Sequence, residues 1–115
     1  MDRRSFLALT AATAAAQPAG FAFSEHDGKL DLLDGGKLVW SYCFGPQLPA
    51  GVPEDRRRAC YFHPLVTPGG VTLTDDFPKD HYHHRGLFWA WPQVGIEGAT
   101  RDGWMLRGLS AKHEE

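Results

Sequence analysis

Between Asp75 and Trp91 the chain gathers acids, imidazoles and a guanidinium against large aromatic rings: Asp75, Asp76, Asp80, His81, His83, His84 and Arg85, followed by Phe88, Trp89 and Trp91. Polar groups in that company are costly to bury unless they find partners, so the stretch reads as a site. In an extended segment His81 and His83 point to one side and His84 to the other. Two imidazoles at that spacing can share a divalent metal, with Asp80, Asp76 or a distant residue completing the shell. The same rings can serve as acid/base groups. Arg85 and the rings themselves disfavour protonation, and Asp80 or Asp76 can fix a tautomer by accepting a ring's second N–H. Arg85 is then an anion or oxyanion contact. Asp76, Tyr82 and Trp89 are the candidate substrate contacts, since a tryptophan beside a polar cluster suits a carbohydrate. The structural alternative is an Asp80–Arg85 salt bridge that pins a loop, with the histidines stacked on Tyr82 and Trp89, and with Trp89 and Trp91 in the core. Adjacent Asp75 and Asp76 say little about glycosidase chemistry, which needs carboxylates spaced across a sugar.

Short strands must position these residues. Gly and Pro recur at close intervals from Phe21 onward, the rhythm of an all-β chain. Phe21–Glu25 and Lys29–Leu33 read as strands joined at His26-Asp27-Gly28, and Asp34-Gly35-Gly36 suits a tight hairpin. Leu38, Trp40, Tyr42 and Phe44 alternate with Val39, Ser41 and Cys43, giving one large apolar face that needs a second layer. Residues 45–53 hold too many prolines for a ladder. Ala59–Val66 resumes as a strand that Pro64 demotes to an edge or bulge, and Val71–Thr74 is its returning partner. Gly86–Trp91 is predicted as a strand with Leu87, Trp89 and Trp91 on one side, Val94–Asp102 as a loop, and Trp104–Leu106 as a short strand. These elements predict an antiparallel β-sandwich, incomplete at the C-terminus because nothing closes it after Leu106.

The 115 residues are 43% hydrophobic and 23% charged with a net charge of −2, which argues against a nucleic-acid surface. Arg56-Arg57-Arg58 follows Glu54-Asp55 and reads as a solvated, partly self-neutralised turn. Met1–Arg4 is a short basic start, and the alanine-rich run after it is too short for a permanent membrane anchor. Residues 1–16 therefore read as a signal peptide with a twin-arginine-like Arg3-Arg4-Ser5-Phe6-Leu7 core, cleaved before Gln17. That places the mature chain, 17–115, in the periplasm or outside the cell. Cys43 and Cys60 lack metal-site spacing; a disulfide between them and two packed thiols both fit.

Tyr61-Phe62-His63-Pro64-Leu65, Thr67-Pro68-Gly69-Gly70-Val71, Thr74–His81 and His83-His84-Arg85-Gly86-Leu87-Phe88 together resemble the exported bacterial proteins labelled "methane oxygenase PmoA", or PmoA-like. The resemblance covers roughly residues 21–110 and centres on Asp80-His81-x-His83-His84-Arg85-Gly86. It implies a large β-sandwich in proteins longer than this chain, with residues 17–115 its N-terminal part. The residues point to an enzyme acting on a carbohydrate-like small molecule, with catalytic His81, His83, His84, Asp80 and Arg85. A non-catalytic carbohydrate-binding module and a metal-dependent oxygenase, the latter from the label, are the alternatives.

Overall fold

The computed structural model describes residues 19–114. The leader read over residues 1–16, and its cleavage point, lie outside them. The all-β, antiparallel expectation holds: β1 (Phe21–His26), β2 (Lys29–Asp34), β3 (Lys37–Cys43) and β4 (Tyr61–Leu65) form one sheet in chain order, and β5 (Val94–Ile96) and β6 (Ala99–Arg101) form a second. The two sheets do not close into a barrel. No α-helix occurs among the described residues, and no helix is long and apolar enough to cross a membrane.

The first three strands follow from alternation and turn chemistry. Gly28 and Gly35 take positive φ at the two hairpin tips, where a side chain would be strained. The β3/β4 register slips between Trp40 and Tyr42, opposite the His63-Pro64 pair, as expected where a proline interrupts a ladder. β4 is accordingly an edge strand.

The two faces of the large sheet differ in kind. One carries the aromatic row in which Phe23, Tyr42 and Phe62 lie near Trp40 or one another, with ring centroids 4.9–6.2 Å apart. This is the apolar face read from β3, and Phe23 on it remains 66% exposed. The opposite face is the better buried, with Ser41, Cys43 and Tyr61. Its polar groups are paired: Ser41 Oγ donates to Asp31 Oδ1, and His26 Nε2 lies 2.8 Å from Asp31 Oδ2. Because the serine bonds the carboxylate and not the imidazole, this trio lacks the order of a nucleophilic triad.

Three predicted strands are not strands. Val71–Thr74 forms one bridge just past the end of β4, Val66 to Thr72, and Leu73 N donates to Leu65 O at 2.8 Å; the ladder goes no further because the Thr74 hydroxyl, not a main-chain carbonyl, accepts from the Leu65 N–H at 3.1 Å. Gly86–Trp91 pairs only at Leu87 with Phe62 before turning away. Trp104–Leu106 lies in a turn in which Asp102 Oδ1 accepts from Met105 N at 2.8 Å. Conversely, Val94–Asp102, read as a loop, contains the β5/β6 hairpin, with Glu97 and Gly98 at positive φ in its turn. Both cysteines are free thiols; Cys43 is buried beside the His63 carbonyl.

Candidate functional site: a histidine-tipped loop

The loop from Asp76 to Arg85 has a buried stem and a polar tip. At the stem the two end residues form a main-chain bridge, and Gly86 N donates to Asp75 O at 2.8 Å. Their side chains close the same stem. Arg85 is 1% exposed, and its Nε donates to Asp76 Oδ1 at 2.6 Å. Its Nη2 donates to the Tyr61 hydroxyl, which donates in turn to Asp76 Oδ2 at 3.0 Å. Burial and the neighbouring Asp76 push the Tyr61 hydroxyl far above its ordinary range, so it stays protonated and keeps that donor role. The guanidinium also lies over the rings of Tyr61 and Phe77. A buried charge is tolerated where its donors are met in this way.

This geometry redistributes the sequence-predicted residues. Arg85 pairs with Asp76 and not with Asp80, and both are committed to the core, so neither stands free to meet a substrate. Asp80 is exposed and sits 3.0 Å from His81 Nδ1. Its interaction with His81 holds the carboxyl below the ordinary carboxylate range.

The tip is not extended. His81 N donates to Pro78 O and His84 N donates to His81 O, both at 2.9 Å, so the tip is two successive turns. Residues three apart in a turn come together, and the His81 and His84 rings stack at 4.8 Å, 11° from parallel. His83 meets the His84 ring edge-on at 4.3 Å and the His81 ring at 5.6 Å. The expectation that His81 and His83 share one side while His84 opposes them is therefore corrected: all three rings cluster. Among the described residues no group of three or more His, Cys, Asp or Glu side chains is placed to hold a metal ion.

The cluster rests on Trp104, a residue that sequence reading placed in a strand and not at the site. Its ring centroid is 5.7 Å from His84 and 6.2 Å from His83, and the residue keeps 36% of its surface exposed. Two of the three arginines of the basic run hold it there. Arg56 Nη1 donates to Met105 O at 3.1 Å, and Arg58 Nη2 donates to the carbonyls of Gly103 and Trp104. Arg57 alone behaves as the predicted solvated turn, pairing with Glu54 at 2.6 Å. Trp89 is 83% exposed and stacks edge-on with Trp91, away from the histidines, so neither tryptophan is core and Trp89 does not join this cluster. Tyr82 is half-buried in the tip.

Burial first, then the neighbouring His84 and His81 and the more distant Arg56 and Arg58, pull His83 below its ordinary 6.5. It is thus neutral at pH 7. Because the folded state binds this proton less well than the unfolded chain, the group's contribution to stability is complete above 6.5 and falls as the pH drops towards the lowered value. In a proton NMR titration His83 is expected to protonate at lower pH than an unperturbed histidine. Trp104→Ala, which removes part of its cover, should raise that midpoint; an unmoved midpoint would place the cause elsewhere.

A family profile matches residues 29–115, a span that includes the sheet from β2 onward, the loop and Trp104. The chain belongs to DUF6807, a family of unknown function. No curated protein and no solved structure shows a significant match to it. The DUF6807 span contains every residue of the histidine cluster and its support. Membership is therefore shown, while the oxygenase label carried by the resemblance rests on no named relative.

Proposed function

We propose that this DUF6807 protein is an exported enzyme that acts on a carbohydrate-like small molecule by proton transfer at the tip of the 76–85 loop. The observation that carries the reading is the placing of two imidazoles with ring centroids 5.6 Å apart: His83, held neutral, and His81, whose Nδ1 lies 3.0 Å from Asp80 Oδ2. A neutral imidazole accepts a proton at pH 7. His83 is the base and the Asp80–His81 pair the acid. His84 spaces them by stacking on His81, and the exposed part of Trp104 offers a flat apolar surface to a sugar ring. Arg85 and Asp76 act as positioning residues by fixing the stem. The basic and apolar leader of residues 1–16 supports export, and nothing in this reading calls on a metal.

The test is a turnover screen of neutral and acidic mono- and disaccharides with product analysis, repeated with His83→Gln and Trp104→Ala. His83→Gln should reduce kcat by about 10²–10⁴-fold. Trp104→Ala should act mainly on KM. Saccharide binding without turnover in the native protein would instead assign the loop to a non-catalytic carbohydrate-binding module.

A further inference from the structure

A second candidate site lies away from the histidines. Arg58, Ala59 and Cys60, the Phe88–Trp91 segment, β5 and Leu109 line a cleft of about 480 Å³, within the size range of small-molecule pockets. Its walls are mainly apolar, with Trp89 and Trp91 at 83% and 60% exposed. The polar side chains among them are those of Arg58 and Ser110. Arg58 is buried, and its guanidinium lies 4.6 Å over the Phe88 ring. Phe88 in turn meets Trp104 at 5.1 Å, so these two rings separate the cleft from the histidine cluster.

Arg58 has unspent donors. Both of its hydrogen bonds leave from Nη2, to the Gly103 and Trp104 carbonyls, and neither Nε nor Nη1 has a protein acceptor among the described residues. No sealed side-chain nitrogen in the described chain lacks a partner, so these two groups reach accessible space, and the cleft is the space that Arg58 lines. No carboxylate among the described residues comes within ion-pairing distance of this guanidinium. A buried cation with two separate N–H groups unspent, set in a mainly apolar wall, is complementary to an anion carried on an apolar body.

We propose that this cleft binds a small aromatic monocarboxylate, its carboxylate accepting from one unspent N–H of Arg58 and its ring between Phe88, Trp89 and Trp91. The site is distinct from the histidine tip and does not rest on the reaction proposed there, although Arg58 also holds the turn that carries Trp104. The cleft also contains the free thiol of Cys60, which serves as a reporter, whereas Cys43 is buried.

The experiment titrates the full chain with phenylacetate and, in parallel, with the uncharged benzyl alcohol, reading the tryptophan indole NMR signals and the rate of Cys60 alkylation by a maleimide. Phenylacetate is expected to shift the Trp89 and Trp91 signals and to slow alkylation of Cys60. Benzyl alcohol should bind at least about tenfold more weakly, because it lacks the charge-assisted bond. Arg58 also supports the 103–105 turn, so its removal can unfold the chain. Trp89→Ala, at an exposed position, is the second variant and should weaken phenylacetate several-fold while leaving the histidine signals in place. Equal affinity for the acid and the alcohol, or no shift of Trp89 and Trp91 with either, overturns the proposal.

Discussion

Arg85→Met is expected to destabilise the protein by about 3–5 kcal/mol, because it leaves the Asp76 carboxylate partly buried without its cation. A domain of this size has only about 5–15 kcal/mol in total, so much of the population should be unfolded at moderate urea concentrations. The cause is local: Asp76 Oδ1 would lose its 2.6 Å bond from Arg85 Nε, and the Tyr61 hydroxyl would lose a donor. Asp76→Leu combined with Arg85→Met should recover part of the loss, since replacing a whole buried ion pair with apolar groups is far cheaper than halving it. Urea denaturation of the two single variants and the double variant supplies the coupling energy. A loss below about 1 kcal/mol in Arg85→Met is the size of an exposed pair and would show that the stem is not closed by this interaction.

Gly86→Ala should be comparably severe by a different route. A Cβ on Gly86 would stand 2.0 Å from the carbonyl oxygen of Phe62 and 2.8 Å from the His63 Cβ, and the residue sits at φ +32. Here the loop returns along the edge of β4, exchanging hydrogen bonds between Leu87 and Phe62 at 2.8 and 2.9 Å. No side-chain rotation relieves an overlap with main chain, so the loop must lift away from the strand. Backbone strain and overpacking together put the cost at about 2–6 kcal/mol. Gly95→Ala is the control. Its Cβ would meet nothing within 4 Å, and the change should move the thermal midpoint little. Equal midpoints for the two variants would mean that Gly86 does not lie against Phe62.

The sheet was legible in the sequence where alternation and turn residues agree. The β1 to β3 meander has clean period-two segments separated by glycine-bearing turns, and its strands fall within a residue or two of the predicted bounds. Legibility failed where a side chain took over a main-chain role. Thr74 caps the Leu65 N–H, and the aromatic spacing of Leu87, Trp89 and Trp91 imitates a strand face although only Leu87 pairs. Composition marked the 75–91 stretch as the likeliest place for chemistry, but it could not say that the stretch divides into core and tip. The decisive choice, Asp76 rather than Asp80 for Arg85, depends on Tyr61, far away in sequence but adjacent in space. Trp104 and the inward turn of Arg56 and Arg58 were equally hidden, because the contacts that make them part of the site come from segments some 45 residues apart. Clustering of the three imidazoles required the double turn at Pro78–His84, where sequence spacing had suggested an extended segment.

The central claim, that the loop tip is where a carbohydrate-like molecule is engaged, is tested most directly by imidazole NMR. The ring signals of His81, His83 and His84 and the Trp104 indole would be followed while a panel of mono- and disaccharides is added, with His26 and His63 as internal references on the sheet. The expected result is that at least one saccharide shifts the three loop imidazoles and Trp104 together, leaves His26 and His63 in place, and changes the pH at which His83 protonates. If no saccharide moves those four signals, or if the only shifts fall at Trp89 and Trp91, the histidine tip is not the carbohydrate site.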